Sequence, residues 1–233
     1  MSNFKRVFLN KWRQISALRP PDQCLLCGAA CAERICPPCH AELPWLTQAL
    51  CPRCAMPQAQ GQRCDDCKAH PPAFVHVAAA FSYGGWISAL VLAAKNGRWS
   101  VCVALAHCAV PRLRLEARPA CLVPIPLHAA RLRERGYNQS AEIARVWGQA
   151  LAVPVRAELL QRARDTPHQT GARRQTRRRN LRQAFRAHGD VAGLHIVLVD
   201  DVMTTGSTLH AAARCLRQAG AARVDAWVLA RTL

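Results

Sequence analysis

Short unbroken apolar runs alternate along this chain with stretches in which apolar residues recur at helical spacing. Ile196, Val197, Leu198 and Val199 form one such run, and three of the four are β-branched. A run of that kind suits a strand buried on both faces of a parallel sheet. Leu209, Ala212, Ala213 and Leu216 then recur at three- and four-residue steps, the buried stripe of a helix. Upstream, the pattern predicts a strand over 73–83, a helix over 86–95 stopped by Asn96-Gly97, and a second helix from Trp99 towards Leu113. A short strand at 121–124, limited by its prolines, a helix over 140–151 and a strand over 153–160 follow, and a last strand is expected over 224–229. Strands alternating with helices predict an α/β fold with a mostly parallel sheet flanked by helices, its ligands at the carboxyl ends of the strands.

The first 70 residues break this rhythm. Of thirteen cysteines, eight stand as Cys-x-x-Cys pairs: Cys24/Cys27, Cys36/Cys39, Cys51/Cys54 and Cys64/Cys67. Each pair can form a tight knuckle that offers two thiolates, and two knuckles complete a Cys₄ site. The spacing favours structural zinc, two ions on two sequential quartets. It leaves open a cross-braced pairing, a rubredoxin-like iron, a single ion, or a redox role for one pair. A metal would staple a segment with few core residues, among them Leu25, Leu26, Ile35 and Leu43. Cys31 is a candidate spare thiolate, and Cys102, Cys108, Cys121 and Cys215 read as small buried apolar residues. Pro71-Pro72 closes the module, which gives a basic extension over 1–20, a double metal-binding module over 21–70 and the α/β domain over 71–233.

Lys5, Arg6, Lys11 and Arg13 interrupt the N-terminal segment, which does not read as a signal peptide. No stretch reaches the roughly 20 apolar residues of a membrane span. The chain therefore reads as cytoplasmic, where reduced thiols favour metal over disulfides. A formal net charge of +18 implies a polyanionic ligand or partner, nucleic acid among the candidates. The charge is uneven, with nine arginines and one aspartate between positions 162 and 186.

The richest chemistry follows the Ile196 run. Asp200 and Asp201 end it, and the small residues Thr204, Thr205, Gly206, Ser207 and Thr208 lead into the next helix. A strand, a turn of small residues and a helix N-terminus make an anion site, because free N–H groups, hydroxyls and the helix dipole all point at a phosphate. The adjacent carboxylates suit sugar hydroxyls or a Mg²⁺ carried by the ligand. Phosphate beside paired carboxylates implies a ribose 5-phosphate. No Gly-Lys-Ser/Thr follows a glycine-rich turn, which excludes a Walker-type loop. A second constellation runs from Pro124 to Gln139, where a proline-rich turn at a strand end precedes Arg131, Arg133 and Arg135. These guanidinium groups can meet an oxygen-rich anion, or form a solvated helix face.

Val-Asp-Asp-Val-Met-Thr-Thr-Gly-Ser-Thr over 199–208 resembles the phosphoribosyl-pyrophosphate (PRPP) motif of type I phosphoribosyltransferases. The Pro-Ile-Pro-Leu-His run with its following Arg-Gly-Tyr-Asn-Gln, the Arg162-x-Arg-x-Thr166-x-x-Gln169 run and the cysteine-rich N-terminus together resemble the competence protein F (ComF, GntX-like) family. The resemblance covers about 24–233. It implies a type I phosphoribosyltransferase-like fold with an N-terminal zinc ribbon. It further implies that Asp200 and Asp201 hold the ribose hydroxyls, with Val202 beside them, and that Thr204 to Thr208 cradle the 5′-phosphate. Pro126, Arg131, Asn138 and Gln139 would line the pyrophosphate side with Mg²⁺, Arg135 and Arg164 would join the acids as catalytic groups, and 162–179 would cover the site. The same resemblance implies DNA uptake or use of external DNA, with single-stranded DNA and uptake machinery such as a helicase as partners. Arg173, Arg174, Arg177, Arg178 and Arg179 are the candidate nucleic-acid contacts, since this segment is denser in arginine than PRPP alone calls for. No residue identifies an acceptor, so a phosphoribosyltransferase, a single-stranded-DNA-binding factor and a PRPP-sensing regulator all remain as readings.

Overall fold

A computed structural model describes residues 23–113, 117–163 and 184–233. Compact packing divides the chain between Glu42 and Leu43, inside the cysteine-rich stretch. The first unit contains the knuckle that opens at Cys24, where Gly28 takes a positive φ of 75°, and a short helix α1 (Pro37–Ala41). The second unit begins with residues 43–70, including helix α2 (Asp65–Ala69), and continues into the α/β core.

Four parallel strands form the sheet, in the order β1 (Val77–Ser82), β6 (Arg223–Arg231), β5 (His195–Met203), β2 (Cys121–Pro124). The expected mostly parallel sheet flanked by helices is what forms. Strand period 2 sorts its side chains: Ile196, Leu198, Val224, Ala226 and Val228 share a core with Leu209, Ala212, Ala213 and Leu216 of helix α7 (Ser207–Gln218). Trp227 points the other way and meets Trp147 of helix α6 (Gln139–Leu151) edge to face, ring centroids 6.1 Å apart. Helices α3 (Gly85–Lys95), α4 (Trp99–Ala109) and the short α5 (Ala129–Arg135) are the other α-helices among the described residues, and the Trp147 indole N–H donates to the Ala106 carbonyl of α4 at 2.9 Å. Among the described residues, no helix is long and apolar enough to cross a membrane.

Three details depart from the sequence pattern. The strand expected over 153–160 pairs with β2 through a single parallel bridge, Leu122 to Val155, and then tightens into a turn of 3₁₀ helix at Ala157–Leu159. Pro154 explains the brevity, since it has no N–H to give a ladder. Strand β3 (Leu160–Arg162) forms only afterwards, antiparallel to β4 (Phe185–Ala187). The helix expected to run from Trp99 towards Leu113 gives way after Ala109 to a 3₁₀ turn, Val110–Arg112, that contains Pro111. The last two strands also run longer than their apolar cores: β5 carries Asp200 and Asp201 inside the ladder, and β6 extends to Arg231.

The second cysteine segment is part of this architecture. Ser82 N–H donates to the Pro44 carbonyl at 2.8 Å and Leu46 N–H to Ala80 at 2.9 Å, so residues 44–46 lie along the free edge of β1. Trp45 packs on Phe81 there, with ring centroids 4.5 Å apart. An uncovered sheet edge is an aggregation hazard, and this segment shields it.

Candidate ribose phosphate site and cysteine clusters

Asp200 and Asp201 sit near the carboxyl end of β5, where a parallel sheet presents its ligands. Each carboxylate is anchored before any ligand arrives. Asp200 Oδ1 accepts from Ser140 Oγ at 2.9 Å and from the Asp201 N–H at 3.0 Å. Asp201 Oδ1 accepts from the Val202 N–H at 2.7 Å, and its Oδ2 meets Lys95 Nζ at 3.2 Å. Desolvation, then the neighbouring Asp201 charge, push the Asp200 carboxyl up to about 7, against the Ser140 hydrogen bond and the Lys95 charge that pull it down.

The turn beyond is shaped by one glycine. Gly206 is left-handed (φ 73°) and caps α7, and a Cβ built on it would lie 2.6 Å from Met203 Cε. Any other residue there would be strained by the positive φ and would push the end of the Met203 side chain aside. Thr205 Oγ1 and Ser207 Oγ lie 2.9 Å apart at the mouth of α7, and Thr204 and Thr205 are exposed. Hydroxyls and first-turn N–H groups thus gather at one helix N-terminus, an anion-binding arrangement.

The 124–139 segment approaches the same strand ends from β2. Asn138 caps α6, its Oδ1 accepting from the Ser140 N–H at 3.1 Å while its Nδ2 donates to the Ile125 carbonyl at 3.0 Å. Gln139 follows, 2% exposed, with its Nε2 lacking a hydrogen-bond partner. The Tyr137 hydroxyl is buried and likewise unpaired. Pro126 is half-buried in the loop, and Arg131 and Arg135 are half-buried on α5. The structure therefore joins Asn138 to Asp200 through Ser140, which gives its N–H to the one and its hydroxyl to the other. Arg164 and the candidate nucleic-acid contacts Arg173, Arg174, Arg177, Arg178 and Arg179 lie outside the described residues.

Three residues that sequence reasoning passed over belong to this neighbourhood. Ser140 reaches Asp200, and Lys95 reaches Asp201. Arg231, 7% exposed at the end of β6, donates from Nε to the Cys54 carbonyl at 2.7 Å and from Nη1 to the Met203 carbonyl at 3.1 Å, and it also holds Thr204 and Thr232 carbonyls. Lys95 had one signal, its place just before the Asn96-Gly97 stop. A lone arginine ending an apolar strand was the signal for Arg231.

The cysteines gather as two sequential quartets, Cys24/Cys27/Cys36/Cys39 and Cys51/Cys54/Cys64/Cys67, with all four sulfurs of each within 4.8 Å of one another. This is the sequential pairing, not the cross-braced one. Zn–S bonds of about 2.3 Å in a tetrahedron require S···S edges of about 3.8 Å. Cys27 and Cys36 Sγ stand 3.7 Å apart and Cys54 and Cys64 Sγ 3.6 Å, so the donor sets fit zinc. Backbone N–H groups favour one thiolate in each quartet: burial opposes it, yet the N–H groups of Cys27, Cys36 and Leu26 bring Cys24 down to about 6, and those of Cys64, Arg53 and Cys54 bring Cys51 to about 7, while the neighbouring sulfurs push Cys39 up and burial, then those sulfurs, push Cys67 up. Thiolates are what a metal binds. A cavity of about 740 Å³ lies between the second quartet and the Gly206 turn, walled by Cys64, Cys67 and His70 on one side and by Thr205, Ser207 and Arg214 on the other.

Comparison with known proteins accords with this geometry. Residues 133–232 match the phosphoribosyl transferase domain, and residues 15–68 match the double zinc ribbon domain. The chain is 34% identical to the DNA utilization protein YhgH of Salmonella typhimurium over 218 residues, 90% of each chain. It is 34% identical over 116 residues to competence protein F of Haemophilus influenzae, 48% of this chain and 51% of that one. With competence protein ComFC of Bacillus subtilis it shares 27% identity over 242 residues, 95% of this chain and 89% of that one.

Proposed function

Because this chain belongs to the competence protein F family, carrying a phosphoribosyl transferase domain and two Cys₄ clusters, we propose that it binds Mg²⁺–PRPP and serves DNA uptake or the use of external DNA in the cytoplasm. The observation that carries the PRPP reading is the pre-anchored acid pair beside the Gly206 turn. Asp200 and Asp201 accept the ribose 2′- and 3′-hydroxyls, and the Thr204–Thr208 N–H groups and hydroxyls take the 5′-phosphate. Pro126, Arg131, Asn138 and Gln139 line the pyrophosphate side, with the unpaired Gln139 Nε2 as a ready donor. Mg²⁺, when bound with the ligand, supplies charge neutralisation on the pyrophosphate.

In a transfer reaction the bond from C1′ to pyrophosphate breaks as an acceptor attacks, and the sugar passes through oxocarbenium character. The chain contributes position and electrostatics: fixed hydrogen bonds orient the ribose, and the cations of the 124–139 segment, with Arg135 and Arg164, receive the departing charge. The charge of +18 supports a second activity, contact with single-stranded DNA through Arg173, Arg174, Arg177, Arg178 and Arg179, and hence a place beside uptake machinery such as a helicase.

Calorimetric titration of the zinc-loaded protein with Mg²⁺–PRPP, and in parallel with a single-stranded oligonucleotide, tests both. Wild type is expected to bind both ligands, and Asp200→Asn/Asp201→Asn to lose PRPP while keeping its DNA affinity. Folded wild type that binds DNA but no PRPP would overturn the phosphoribosyl reading and leave a DNA-binding protein on a transferase fold.

A further inference from the structure

We infer that Lys95 is a positioning residue of the ribose site, holding the Asp201 carboxylate in the orientation in which it receives the sugar hydroxyls. This rests on the PRPP reading and adds to it a residue that lies outside both the 199–208 turn and the 124–139 segment. The starting observation is the 3.2 Å contact between Lys95 Nζ and Asp201 Oδ2, with side chains 32% and 14% exposed. Such a pair is partly withdrawn from water, so it orders its members more than an exposed pair does.

Its geometry is specific. Asp201 Oδ1 is already held by the Val202 N–H at 2.7 Å, so the ammonium on Oδ2 fixes the remaining freedom of the carboxylate. Each oxygen keeps a second lone pair, and these are what a hydroxyl donor needs. Asp200 is held differently, at one oxygen: its Oδ1 accepts from both the Ser140 hydroxyl and the Asp201 N–H. The two acids thus form a rigid acceptor plate, and Lys95 is the cation that the described residues place on it.

An electrostatic conflict makes that cation useful. Adjacent carboxylates repel each other, which is part of what raises Asp200. A fixed ammonium beside Asp201 offsets that repulsion. The lysine is also delivered by a rigid support: it ends α3, where the Asn96 N–H bonds back to the Leu92 and Ala93 carbonyls and Arg98 N–H to Ala93, and Gly97 (φ 101°) turns the chain away.

The test is Mg²⁺–PRPP titration of wild type, Lys95→Met, Lys95→Arg, Asp201→Asn and Lys95→Met/Asp201→Asn, with inorganic pyrophosphate as a competing probe. Lys95→Met is expected to weaken PRPP about tenfold, and Lys95→Arg to restore affinity to within about threefold. Because Lys95 acts through Asp201, the double variant should bind no more weakly than Asp201→Asn alone. Pyrophosphate affinity should be unchanged by Lys95→Met. Wild-type affinity in Lys95→Met, multiplied losses in the double variant, or a matching loss for pyrophosphate would each overturn the assignment, the last by making Lys95 a pyrophosphate contact. Absence of PRPP binding by wild type would remove the ribose site itself, a result distinct from any variant-specific outcome.

Discussion

At the scale of single residues, the site stores an electrostatic cost in Asp200. Its carboxyl is raised to about 7, first by desolvation and then by Asp201, so folding takes up a proton between the unfolded value near 3.8 and the folded value. The sign follows directly. The folded state binds more protons in that window, so stability falls as pH rises through it, and the full cost is carried above about 7. Asp200→Asn removes the charge but keeps the shape. Its melting temperature is expected to exceed that of wild type, by a margin that grows from about pH 4 to about pH 7 and then levels off. A margin that is constant across that range would show that Asp200 is not titrating there. On the proposed reading, ligand hydroxyls compensate for this cost.

Among elements, the turn between β5 and α7 shows what a sequence does and does not display. Its shape was legible, because small hydroxylated residues and a glycine between an apolar run and a helical stripe announce a tight strand-to-helix turn. Its anchoring was not legible, because Arg231 lies 25 residues beyond Gly206 in the chain and reaches back only through the parallel register of β5 and β6, which sets Met203 opposite Arg231. The same applies to Lys95 and Ser140: each is one residue of a helix whose pattern announced burial, and only the packing of α3 and α6 against the strand ends turns them towards the acids. Boundaries were misread where proline decided them, as at Pro154. Arg231 gives the sharpest test at this scale. Replacing it with Met leaves the carbonyls of Cys54 and Thr204 without this donor and removes one of the two donors to Met203, which keeps the Thr232 N–H, at a cost of about 3 kcal/mol or more. Arg217→Met, which frees the carbonyls of Ala221 and Ala222 at a more open place, should cost under about 1 kcal/mol. Urea unfolding followed by tryptophan fluorescence would measure both, and equal costs would show that the Arg231 network does not hold the turn.

For the whole molecule, the two cysteine clusters look alike in sequence and differ in their surroundings. Composition alone groups all eight ligands, and the 44-residue span from Cys24 to Cys67 reads as one module. Packing separates them, since the chain divides between Glu42 and Leu43. Cys51, Cys54 and Cys67 are 0%, 9% and 6% exposed and share a core with Phe74, Met203 and Leu209, and Cys54 is the residue that Arg231 ties to the phosphate turn. Cys64 and Cys67 also wall the cavity that ends at Thr205 and Ser207. Loss of the second metal should therefore be felt at the phosphate turn, because the knuckle's fold and its metal are one equilibrium. Cys51→Ser/Cys54→Ser is expected to lose one zinc per chain, lower the melting temperature of the α/β unit by about 5 °C or more, and weaken Mg²⁺–PRPP binding. Cys24→Ser/Cys27→Ser should also lose one zinc, while PRPP affinity stays within about twofold of wild type. Zinc quantitation with calorimetry on both variants decides the matter. If the first-quartet variant loses PRPP as the second does, the two clusters act as one ligand-supporting module and the division at Leu43 has no functional meaning.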